Sequence, residues 1–145
     1  MNTQEDYISF EIAKLLKENG FNEETEYVFS NNGELLRLSH FGIKNLTNAD
    51  CNDYHTWKLS IEGVASIISA PTLQMAMKWL RKVHKIHITI GYAYKADANL
   101  TDDYVSYCFE AENAKTLISY AQNEWYDTYE QACEAAVKYC LENMI

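Results

Sequence analysis

Between Pro71 and Tyr94 a helical pattern runs with no spacer into a strict two-residue alternation, and this junction constrains the fold more than any other feature of the chain. Proline suits a helix's first turn. After it, Leu73, Ala76, Met77, Leu80, Val83 and His84 fall on one face, while Gln74, Lys78, Arg81, Lys82 and Lys85 fall on the other. Ile86, Ile88, Ile90, Tyr92 and Tyr94 then take alternate positions, as in a strand with one apolar face. An apolar stripe and an apolar strand face joined this closely are buried by folding back on each other.

The remaining segments follow the same logic. Residues 104–110 and 115–121 are β-prone runs separated by a polar turn, and Thr128 with Gln131 forms a capping box for a last helix. The stripe of that helix is Tyr129, Ala132, Cys133, Ala136, Val137, Cys140 and Leu141. Ahead of Pro71, the spacing of Ile8, Ile12, Leu15 and Leu16, with Gly20 as a stop, predicts a helix over 6–18. Residues 27–29 and 35–38 flank Ser30-Asn31-Asn32-Gly33, a hairpin signal. The stretch 39–55 reads as a polar irregular loop, and 56–61 alternates as a third strand would. The expected fold is α+β: an antiparallel sheet with helices packed on one face, in the order helix, hairpin, helix, three strands, helix. With 145 residues the chain suits one domain over 1–145.

Charge and composition narrow the function. Twelve Lys and Arg against 21 Asp and Glu leave a net charge of -9, which opposes a surface made wholly for nucleic acid or anionic lipid. The first residues, Met1 to Asp6, are polar and acidic where an export signal needs a basic start and an apolar run, and the apolar stretch 63–70 is too short to span a bilayer. Cys51, Cys108, Cys133 and Cys140 are too sparse for a disulfide scaffold, so reduced thiols in a cytoplasm are expected.

The motifs that carry chemistry are mostly missing. No G-x-S-x-G, P-loop, dinucleotide or H-E-x-x-H pattern occurs, so no cofactor and no catalytic residue is expected. Cys51 and His55, with His84 and His87, lack the spacing of a zinc site. Asp97, Asn99, Thr101 and Asp103 imitate the start of a calcium loop, but the required glycine is Asp102 and the closing glutamate is Cys108. Glu23, Glu24 and Glu26 read as solvated carboxylates. More distinctive is the helix-spaced row Lys78, Arg81, Lys82 and Lys85, a locally positive stripe able to dock an anionic partner, with Trp79 beside it. A second candidate surface is the aromatic group Tyr120, Trp125, Tyr126 and Tyr129.

Three segments carry a resemblance: Ala70-Pro-Thr-Leu-Gln-Met-Ala-Met-Lys-Trp-Leu-Arg81 with the following Val83-His-Lys-Ile-His-Ile88, the ending Tyr129-Glu-Gln-Ala-Cys-Glu-Ala-Ala-Val-Lys-Tyr-Cys-Leu141, and Tyr7-Ile-Ser-Phe-Glu-Ile-Ala-Lys-Leu-Leu-Lys17. They resemble small uncharacterised bacterial proteins often found in prophages and mobile elements. The resemblance leaves 22–69 unmatched and implies a bacterial, cytoplasmic protein, with no activity attached. The helix, three strands, helix order also occurs in double-stranded RNA-binding domains, which need basic residues at the start of the second helix. Here that position holds Asp127, Glu130 and Glu134, so the shared order does not extend to duplex RNA binding. The expected function is a non-enzymatic accessory module that binds another macromolecule, with another protein as the partner and no membrane. A nucleic-acid factor using the basic stripe, or an enzyme using His40, His55 or His87 in a polar cleft, are the alternatives.

Overall fold

The computed structural model describes residues 6–94, 105–121 and 123–145. Its tertiary contacts gather into two compact units, Met1–Thr72 and Leu73–Ile145, and each holds a three-stranded antiparallel sheet. Five α-helices complete the α+β architecture among the described residues. The single sheet expected from the sequence is thus two.

In the first unit, helix α1 (Phe10–Glu18) begins later than its apolar spacing predicts. Ser9 is the better start, because its Oγ accepts the Ile12 N–H at 3.3 Å and fills a free cap position. Ile8 is buried but extended, its N–H donating to the Pro71 carbonyl at 3.2 Å. Strands β1 (Tyr27–Ser30) and β2 (Leu35–Arg37) form the expected hairpin, with Gly33 at φ +80° in its turn. A strand the sequence did not announce, β3 (Ile67–Ser69), pairs on the other side of β1, giving the order β2-β1-β3. All three of its residues are buried, so no alternation marked it.

The stretch 39–55 is ordered rather than irregular. A 3₁₀ turn (Leu38–Phe41) leads to helix α2 (Asn48–Asn52), capped reciprocally by Thr47 and Asp50, and to helix α3 (Tyr54–Trp57), where the Asp53 side chain accepts the His55 N–H. The expected strand over 56–61 is therefore helix and turn. Trp57, Leu59 and Ile61 look alternate, yet Trp57 and Ile61 are also one helical turn apart, and Ile61 N–H donates to the Trp57 carbonyl at 3.1 Å. Leu59 between them is 91% exposed, which excludes a strand face. Buried Asn48 joins three segments: its Nδ2 donates to the Phe21 carbonyl at 2.8 Å and its Oδ1 accepts the Ser69 N–H at 2.9 Å. Val28, Leu38, Leu46, Cys51, Trp57, Ile61 and Ile67 form the buried cluster these segments enclose.

The second unit follows the expected order: α4 (Leu73–His84), β4 (Ile86–Tyr94), β5 (Val105–Asn113), β6 (Ile118–Ala121) and α5 (Tyr129–Asn143). Strands pair as β4-β5-β6, and α4 and α5 pack on each other and on the sheet. Pro71 lies before α4 rather than in its first turn. The helix buries Leu73, Ala76, Met77 and Leu80, but Trp79 is buried too, and Val83, expected inside, is exposed. Strand β6 is shorter than the run 115–121 because Asn113 Oδ1 accepts the N–H groups of Lys115 and Thr116, closing a side-chain turn, and Leu117 sits at φ +61°. The capping box is formed: Gln131 N–H donates to Thr128 Oγ1 at 3.1 Å, and Thr128 N–H donates to Gln131 Oε1 at 3.3 Å. Thr128→Ala is expected to lower stability by about 1 kcal/mol, and Thr128→Ser to restore most of it, as read from urea melts. Equal midpoints for all three proteins would dismiss the cap.

Candidate partner-binding surface

Lys85 alone joins α4 to β4, so the helix and the strand leave one point in opposite chain directions. Twelve residues at about 1.5 Å each give α4 a reach of about 18 Å, whereas the nine residues of β4 at about 3.3 Å each reach about 30 Å. The strand must outrun its helix. Burial along β4 records this: Ile86 is buried, Ile88 and Ile90 are half-buried, and Tyr92 and Tyr94 are 65% and 64% exposed. All five were expected on one half-buried face, and they do share it. Among the described residues, burial is complete only at the near end.

The register extends this tyrosine row across the sheet. Tyr92 stands opposite Tyr107 and Tyr94 opposite Val105, while Tyr107 exchanges backbone hydrogen bonds of 2.8 and 2.7 Å with Tyr126. Facing residues of an antiparallel pair point to the same side. Phe109, two residues beyond Tyr107, is buried and lies 6.2 Å from the Tyr139 ring of α5, which identifies this side as the helix face. Tyr129, at the start of α5, closes the row edge-on against Tyr107 at 6.2 Å, and Tyr92 and Tyr94 meet edge-on at 6.1 Å. Partial desolvation raises the Tyr129 pKa. Tyr120, grouped with these rings in the sequence, belongs elsewhere: it stacks on Tyr139 with centroids 3.8 Å apart.

The rim beside these rings is acidic. Residues 120–135 hold Glu124, Asp127, Glu130 and Glu134 and no Lys or Arg. Glu124, Asp127 and Glu130 are exposed, as is Trp125, and the Tyr126 hydroxyl donates to Glu124 Oε2 at 3.3 Å. Tyrosine faces attract cations through the ring quadrupole, and carboxylates add Coulombic attraction in the same direction. The surface is suited to a positively charged segment.

The basic stripe is present but rearranged. Lys78, Arg81 and Lys82 are exposed on α4, and none is in an ion pair among the described residues. Lys85 has left the helix: it takes φ +59°, and its Nζ donates to the Lys82 carbonyl at 3.0 Å, where a cation complements the helix C-terminus. Trp79 is turned inward, edge-on to His84 at 4.8 Å. The stripe is therefore three helical charges and a cap.

The remaining candidates are dispersed. Cys51 is buried with its thiol pushed up to about 11 by desolvation, whereas His55 is exposed. Burial lowers the His84 pKa, and its Nε2 has no hydrogen-bond partner among the described residues. Among the described residues no three His, Cys, Asp or Glu side chains are grouped to hold a metal ion. Residues 97–103, which imitate a calcium loop, lie outside the described residues. Glu26 pairs with Arg37 at 2.8 Å, raising the Arg37 pKa, while Glu23 and Glu24 face solvent. His40 is exposed on the 3₁₀ turn. His87 stands opposite Glu112, with Thr89 opposite Glu110, in a 400 Å³ depression on the open sheet face that Ser119 also lines. His87, Thr89, Glu110, Glu112 and Ser119 are all exposed.

No helix among the described residues is long and apolar enough to cross a membrane. Comparison with protein-family models, curated proteins and solved structures finds no match for this chain.

Proposed function

We propose that this protein is a non-enzymatic accessory module that binds another protein, and that the tyrosine-bearing overhang of its second unit receives a basic segment of that partner. The observation behind this reading is the exposed end of the apolar sheet face at Tyr92 and Tyr94, together with the exposed carboxylates of Glu124, Asp127 and Glu130, which flank the rings of Tyr126 and Tyr129 that meet Tyr107 on the neighbouring strand. Exposed aromatic surface rimmed by polar groups is the usual form of a protein contact, and the charge of the rim selects a cationic partner. The four free cysteines accord with a reducing cytoplasm.

The reading is tested by titrating the full chain at low salt with an arginine-rich peptide and a glutamate-rich peptide of equal length. The arginine peptide is expected to bind and to weaken with salt, and the glutamate peptide to show no binding. Removing two cation–π contacts in Tyr92→Ser with Tyr94→Ser should weaken binding about five- to thirtyfold. Equal binding of both peptides, or an arginine peptide indifferent to the double substitution, would sink the reading.

A nucleic-acid role rests on Lys78, Arg81 and Lys82, which stand exposed and outside any ion pair among the described residues. The net charge of -9 opposes it, and single- or double-stranded DNA and RNA are expected to bind no tighter than about 10⁻⁴ M at low salt. Salt-dependent micromolar binding that disappears when Lys78, Arg81, Lys82 and Lys85 become glutamine would put that role first.

A further inference from the structure

The first unit holds a groove of 590 Å³ between α1 and the β1–β3 edge of its sheet, within the size range of small-molecule sites. Its apolar lining is Phe10, Phe29, Ile67 and Ile68. The two phenyl rings are 5.5 Å apart and inclined at 52°, so they form a ridged wall rather than a parallel slot. The Phe10 ring sits against the hairpin turn, where a Cβ on Gly33 would come within 3.1 Å of it, so glycine leaves the ring its place. The hairpin turn is pinned in turn by Asn31 Oδ1, which accepts the Ala65 N–H at 3.1 Å.

The polar groups of the groove are asymmetric. Lys14 and Lys17 stand one turn apart on the same side of α1 as Phe10, and Glu18 is the one acidic lining residue. The Lys14 ammonium lies 4.4 Å over the Phe10 ring, and Lys17 is half-buried. Neither is in an ion pair among the described residues. A chain of net charge -9 thus places two ammonium groups at the rim of an apolar groove.

We infer that this groove binds a linear aliphatic carboxylate, with the alkyl chain along Phe10, Phe29, Ile67 and Ile68 and the carboxylate between Lys14 and Lys17. An alkyl chain follows a ridged wall of rings and isoleucines, whereas a planar ring system needs parallel faces to stack between. A carboxylate takes charge-assisted hydrogen bonds from both ammonium groups. The inference concerns the first unit alone and stands independently of the tyrosine surface.

The test is calorimetric titration of the full chain, below the micellar range, with octanoate, decanoate and decanol. Saturable binding of one carboxylate per chain is expected, tightening about fourfold per added methylene as more apolar surface is covered. Decanol should bind at least about tenfold more weakly than decanoate, because it lacks the charge. Lys14→Gln with Lys17→Gln, both on the helix surface, should weaken decanoate about tenfold and leave decanol unchanged, with the melting midpoint as the check on folding. Ser66→Trp, at an exposed lining position, should block both ligands. Absence of saturable binding, equal affinity for decanoate and decanol, or decanoate binding untouched by either variant would overturn the inference.

Discussion

Replacing Trp57 by alanine is expected to destabilise the protein by about 3–5 kcal/mol, the range for removing a large aromatic side chain from a packed site. Trp57 is 1% exposed and lies within the cluster of Val28, Leu38, Leu46, Cys51, Ile61 and Ile67. Its indole N–H donates to the Cys51 carbonyl at 2.9 Å, and Tyr54 meets its ring edge-on at 5.2 Å. Alanine would leave both a cavity and a buried carbonyl without its donor. Trp57→Phe separates the two effects, since it keeps most of the apolar bulk and loses the hydrogen bond, worth about 1 kcal/mol. Denaturant melts would show the alanine variant far below wild type and phenylalanine between them. A loss under about 1 kcal/mol in Trp57→Ala would mean that the cluster of Val28, Leu38, Leu46, Cys51, Ile61 and Ile67 does not enclose this residue.

The second large effect lies in α4. Leu80 is fully buried on the helix stripe, so Leu80→Ala is expected to cost about 2–5 kcal/mol. Val83, three residues further on and assigned to the same stripe by spacing alone, is exposed, and Val83→Ala should change stability by less than about 0.5 kcal/mol. The pair is a sharper test than either alone. Equal losses at the two positions in urea melts would show that burial follows the sequence stripe rather than the packing described for α4.

Cys140 belongs to the same kind of buried face on α5. Desolvation pushes its thiol up to about 12, so it carries no thiolate at neutral pH and acts as a small apolar side chain. Cys133 and Cys140, which the sequence places on the apolar stripe of α5, are buried; Cys51, in the stretch expected to be a polar loop, is buried too, while Cys108 is only half-buried beside Gly91 on the open sheet face.

Local signals determined those parts of the chain where one segment carries its own instruction. The hairpin around Gly33, the capping box of Thr128 and Gln131, the α4 to β4 junction and the α5 stripe from Ala132 to Leu141 were legible, because capping, turn geometry and side-chain periodicity act within a few residues; Tyr129, assigned to that stripe, is exposed. Only tertiary structure decided the rest. Strand β3 exists because β1 supplies its hydrogen bonds, and its fully buried residues show no alternation of their own. Trp57 and Ile61 fit either a strand or a helical turn until the Cys51 carbonyl and the surrounding cluster select the helix. The carboxylate groove joins Lys14 to Ile68, far apart in sequence, so no local pattern announced it. Tyr92 and Tyr94 share the pattern of Ile88 and Ile90, and what exposes them is length: α4 rises about 1.5 Å per residue and β4 about 3.3 Å, so the helix runs out before the strand does.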